Sequence, residues 1–120
     1  MPAERRNPSA RLSDMLDAIV GIRGAVAGLD FEDYERVWTV RRAVERGFEI
    51  ISEASRHLPP DLKARHQHVA WARIAGIGNV LRHDYQRIED RLIWNLLGNH
   101  LDELETVIRL ALAEGGSDGS

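Results

Sequence analysis

The chain has 120 residues, no cysteine, a formal net charge of −3, and 43% apolar against 29% charged residues. That is the balance of one globular domain; the missing cysteines exclude a disulfide framework and a thiolate metal centre, and an acidic chain is a poor duplex-DNA binder. No run approaches the roughly 20 apolar residues that span a bilayer, and the first residues lack the apolar core of a signal peptide, so a cytoplasmic protein that meets no membrane is expected.

Residues 1–8 contain Pro2 and Pro8 and show no periodicity, which predicts a frayed start. The domain is expected over 9–114, and Gly115–Ser120 reads as a flexible tail. A first helix is predicted from near Ser9, its N-cap, with Leu12, Met15, Leu16, Ile19, Ile22, Val26 and Leu29 on one stripe. Gly24 and Gly28 weaken its end, and Asp30 or Asp33 can cap the next helix. A second helix carries Val37, Val40, Val44, Gly47, Phe48, Ile51, Ala54 and Leu58, until Pro59-Pro60 ends it. Pro60-Asp61-Leu62 can start a short helical turn, and Arg65–His68 reads as a connection. A third main helix is predicted from about Ala70 to Tyr85 with Trp71, Ile74, Ile77 and Leu81 on one face. A fourth starts near Glu89 and repeats Ile93, Leu97, Leu101, Leu104, Ile108 and Ala111. No segment alternates like a strand. The expected architecture is an all-α antiparallel four-helix bundle with a short extra helical turn.

Local charge departs from the acidic whole. Lys63–Arg91 holds six Lys or Arg, three His and only three acids, Asp84, Glu89 and Asp90. Such a segment is either a solvated helix face or a phosphate-binding patch. His66-x-His68 with His57 upstream is a weak zinc pattern, since no third ligand is fixed by the spacing. No metal or cofactor is expected. Trp38, Trp71 and Trp94 fall on helical stripes, which points to core or interface rather than base stacking.

Two segments carry a more specific signal. Arg42–Ala54 has an Ala-Val pair, an apolar run and a closing Glu53-Ala54; Trp71–Tyr85 has a Trp, an Ile-x-Gly, then Asn79, His83 and Tyr85. Together they resemble the HepT-like toxins of the HEPN superfamily, over about Arg11 to Leu110. The resemblance implies a helical HEPN domain that dimerises. It also implies metal-independent RNA cleavage through the ribose 2′-hydroxyl, in a cleft between subunits. The implied partner is a nucleotidyltransferase antitoxin, which adenylylates the position matching Tyr85. Glu53 is then a supporting partner of the motif residues.

One motif residue departs from the pattern. The resemblance calls for arginine five residues before His83, where this chain has Gly78. Histidine is the residue type that ordinarily titrates near neutral pH, so His83 suits general acid or base work, but glycine cannot hold phosphate charge. Arg82 stands one turn after Gly78, and helical side chains lean toward the N-terminus, so Arg82 can reach back over the vacated position. Asn79, one turn before His83, can orient its ring or touch phosphate. The candidate set is therefore His83, Arg82 and Asn79, with Tyr85 as modification acceptor. The alternative is a non-catalytic HEPN dimer that binds RNA or the nucleotidyltransferase, with Arg82 solvated and Gly78 serving close helix packing.

Overall fold

The structure, a computed structural model, describes residues 8–83 and 90–118, without the side chains of Arg82, His83 and residues 115–118. The apolar stripes of the sequence coil into six helices: α1 (Ser9–Val26), α2 (Phe31–Arg36), α3 (Trp38–Arg56), α4 (Pro60–Arg65), α5 (Trp71–His83) and α6 (Asp90–Asp118). The four long ones form the expected bundle. α3 lies between α1 and α5, and α1 also packs on α6.

α1 buries Leu12, Met15, Ala18, Ile19 and Ile22. Its N-cap is Pro8, whose carbonyl accepts the Leu12 amide at 2.9 Å, so Ser9 is the first helical residue rather than the expected cap. Gly28 stops the helix with φ of 76°, a conformation that a side chain would strain.

The predicted second helix is two helices. Asp30 and Asp33 cap α2 reciprocally: the Asp33 amide donates to Asp30 Oδ1 at 2.8 Å and the Asp30 amide to Asp33 Oδ2 at 3.3 Å. Val37 then stands extended, at φ −100° and ψ 104°, and separates α2 from α3. The break costs few backbone bonds, because the Val37 amide still donates to Asp33 at 3.1 Å and its carbonyl accepts from Arg41 at 3.2 Å. In return Tyr34 becomes fully buried, against Phe31 and Trp94.

Proline at the first position starts α4, which buries Leu62. The connection to α5 is fixed by Trp71, whose Nε1 donates to the His66 carbonyl at 3.0 Å. α6 buries Ile93, Leu101, Leu104, Val107, Ile108 and Ala111. It runs on through Gly115 and Gly116 to Asp118, positions expected as tail, because an established helical ladder extends easily into weak formers. Arg23 ties it to α1, through Asp102 and through Glu105 at 2.8 Å.

Two buried small residues set the spacing of the layers. Gly47 lets α3 approach α1: a Cβ there would lie 2.5 Å and 2.7 Å from Ile22 Cγ1 and Cδ1. Ser52 joins α3 to α5, with its Oγ donating to the Ala75 carbonyl at 2.8 Å and accepting from the Gly78 amide at 3.0 Å. Arg56 donates to the same carbonyl at 2.8 Å. Ser52 reaches Ala75 and Gly78 while Arg56, one turn further along α3, reaches only the earlier Ala75, so the two helices run antiparallel and position 83 falls level with the N-terminal half of α3.

Gly47→Ala is expected to lower stability by about 1–2 kcal/mol, because overpacking against the buried Ile22 outweighs the gain in helix propensity. Gly24→Ala, with no described atom within 4 Å of the new Cβ, should instead stabilise by about 0.5–1 kcal/mol. Ser52→Ala should cost about 1–2 kcal/mol through the loss of its two hydrogen bonds to α5. Urea unfolding of the three variants checks all three signs.

Candidate active site

The candidate site begins with the faces of α5. Ile74, Ile77, Gly78 and Leu81 are buried toward the bundle, while Ala72, Arg73, Asn79 and Val80 are exposed. In the sequence, position 83 follows Asn79 by four residues and position 82 follows Gly78 by four. The side chains of His83 and Arg82, and all of Tyr85, lie outside the described residues.

Gly78, which stands where the HepT-like motif carries arginine, is part of the α3–α5 packing. It is buried and its amide is engaged by Ser52. Ser52 itself is 1% exposed and is linked onward, since Ser55 Oγ donates to the Ser52 carbonyl at 2.7 Å. Sequence reasoning passed over both serines. The available signal was their place on the apolar stripe of α3, beside Phe48 and Ile51.

Glu53 is exposed on another side of α3. It lines a groove with Arg11, Asp14, Arg46 and Glu49, between α1 and α3, and its Oε2 is 3.0 Å from His57 Nε2. This local partner was not foreseen.

A second group of aromatic and charged side chains collects where α2, α3 and the start of α6 meet. Phe31, Tyr34 and Trp94 form an aromatic cluster with ring centroids 5.3–6.5 Å apart. The Arg91 guanidinium stands over Phe31 at 3.8 Å from its centroid. The Tyr34 hydroxyl is buried with no hydrogen-bond partner among the described residues, and burial, then Glu45 and Asp90, push its pKa far above the usual phenol. Burial likewise raises the Glu45 carboxyl above its ordinary pKa, against the opposing pull of Arg42 at 3.1 Å. Beside them Trp38 is 60% exposed, with the Arg42 guanidinium 5.6 Å from its ring centroid. Of the two expected places for this tryptophan, core or interface, its solvent-facing position removes the core.

The histidines of the 66–68 connection do not converge. His66 is buried, its Nε2 has no partner among the described residues, and its ring centroid is 6.1 Å from that of His68. Among the described residues no three His, Cys, Asp or Glu side chains form a group that could hold a metal ion. No helix among them is long and apolar enough to cross a membrane.

Comparison with known proteins agrees with the family resemblance read from the sequence. Residues 15–111 match the ribonuclease HepT-like family. A protein of Caldanaerobacter subterraneus subsp. tengcongensis that bears an RNase name is 32% identical over 104 residues, covering 87% of this chain and 93% of that protein. A protein of Methanocaldococcus jannaschii, also bearing an RNase name, is 26% identical over 106 residues, covering 88% and 97% respectively. A protein of Thermococcus cleftensis that bears the name of ribonuclease HepT is 30% identical over 101 residues, covering 84% and 92%. No solved structure matches. With most of its length matched to the family and to relatives of similar size, the chain belongs to the ribonuclease HepT-like family.

Proposed function

We propose that this protein is a metal-independent RNA endonuclease, the toxin of a toxin–antitoxin pair with a nucleotidyltransferase, and that it works as a homodimer in the cytoplasm. The observation that carries the reading is the outward side of α5: Asn79 is exposed there, and His83 follows it four residues later, at the spacing of the HepT-like signature. Membership of a ribonuclease family supports RNA as the substrate.

His83 takes the proton of a ribose 2′-hydroxyl, the 2′-oxygen attacks phosphorus, and the bond from phosphorus to the 5′-oxygen breaks. The leaving oxygen receives a proton from the second copy of His83. The products are a 2′,3′-cyclic phosphate and a 5′-hydroxyl. Arg82 stabilises the charge on the phosphoryl oxygens, the task for which its planar fork is suited. Asn79 orients the imidazole or the phosphate, while Glu53, beside His57 on another side of α3, takes no part in this step. The outward side of α5, with the small residues Ala72 and Gly76 and the 41% exposed Val80, supports close approach of a second subunit. Tyr85 is the acceptor for adenylylation by the partner.

One observation favours a second reading. Gly78 is buried and committed to Ser52, so the position of the motif arginine serves packing here. On that reading the chain is a non-catalytic dimer that binds RNA or the nucleotidyltransferase.

His83→Ala should reduce cleavage of a labelled RNA by about 10²–10⁴-fold, and Arg82→Ala by about 10²–10³-fold. Chelation with EDTA should leave the rate unchanged, and a 2′-deoxy substitution at the cut site should stop the reaction. Full activity in Arg82→Ala would remove the relocated cation. Growth arrest that persists on expression of His83→Ala would select the non-catalytic reading.

A further inference from the structure

We propose that Trp38, backed by Arg42, is a stacking platform for an unpaired base of the RNA, set apart from the cleavage chemistry on α5. The inference rests on RNA being the ligand, but not on its being cut.

Tryptophan is highly buried on average. Trp38 instead keeps 60% of its surface in water, the largest exposure among the large apolar residues described. It is held from within its own helix: Arg42, one turn on, lies over the ring at 5.6 Å from the centroid, and Glu45 fixes Arg42 from the other side at 3.1 Å. Arg42 is itself paired with Glu45, so the surface it backs is flat and aromatic, and the positive charge that meets phosphate comes from its neighbours. Those are the properties that receive a nucleobase without reading its identity, because every base has a π-face and every nucleotide a phosphate.

The surroundings supply the phosphate contacts. Arg41 is bonded to the Glu35 backbone carbonyl and Arg91 lies over the Phe31 ring, and among the described residues neither guanidinium is paired with a carboxylate. Both stand at the end of the bundle where Tyr34, Glu45 and Asp90 come together. The Ser52–Gly78 register places this end beside the C-terminus of α5. Trp38 then lies on the order of 10 Å along α3 from the level of position 83, at 1.5 Å per residue. A short single-stranded segment bridges that span, with one base on the indole and a phosphate further along at α5.

The test uses the intact protein and a short, fluorescein-labelled, 2′-O-methyl single-stranded RNA, which cannot react through its 2′-oxygen. Anisotropy titration should give a Kd about tenfold higher for Trp38→Ala than for the parent, the order expected for loss of one base stack. Trp38→Phe, which keeps a ring, should stay within about threefold of the parent. The duplex form of the same RNA should bind all three proteins alike. Equal binding of the single strand by parent and Trp38→Ala would overturn the proposal. So would a parent that does not bind it, or an equal loss for duplex. Dissociation of an oligomer by Trp38→Ala in sedimentation would assign the indole to a protein contact instead. If cleavage proves independent of His83 while Trp38-dependent binding holds, the nuclease mechanism falls and the platform stands. If cleavage depends on His83 and binding ignores Trp38, only the platform falls.

Discussion

The hydroxyl of Ser52 holds two backbone groups of the neighbouring helix at once, accepting from one amide and donating to one carbonyl three residues earlier. Burial makes this arrangement demanding, since a missing partner would be left without water to replace it. It therefore fixes both how close α3 and α5 lie and how far one has slid along the other. The outward direction of Asn79, the level of position 83, and the placement of Trp38 relative to both depend on that register.

The same contact changes the meaning of Gly78. From the sequence alone, a glycine in place of arginine is a lost charge. In the structure it is also a place where one helix backbone comes within hydrogen-bond distance of its neighbour's side chain. The two descriptions are compatible: once the position serves packing, any cation needed for phosphate must come from elsewhere on the helix. Arg82, next along the same side, is the nearest candidate in the sequence.

The helices and most of the core were legible because burial acts on periodicity, and the periods here are clean: Leu12, Met15, Ile19 and Ile22 on α1, and Ile93, Leu101, Leu104 and Ile108 on α6, were read from spacing and are buried. The caps at Asp30 and Asp33 were legible for a similar local reason. Three features were not. The extended Val37 accompanies the burial of Tyr34, and the weak helix preference of one β-branched residue, shared by the helical Val40 and Val44, is too little to announce it. Ser52 looks like any serine until its two backbone partners are known. Trp38 fits an apolar stripe by spacing, and only the break before it takes it out of the core. The motif on α5 could be read because it is a pattern of residue identities. Its side-chain geometry at positions 82, 83 and 85 is a separate matter, lying beyond the described residues.

The interruption at Val37 has a consequence for the two aromatics on either side of it. Tyr34 and Trp38 are four residues apart, and on an unbroken helix they would share one face. Either both would enter the core or both would meet solvent. One extended residue uncouples them, so a hydrophobic anchor and a solvent-facing ring are obtained from adjacent turns of chain. Straightening this joint would force the pair into a common environment, and whichever ring yielded, either the seal around Phe31 and Trp94 or the outward indole would be lost.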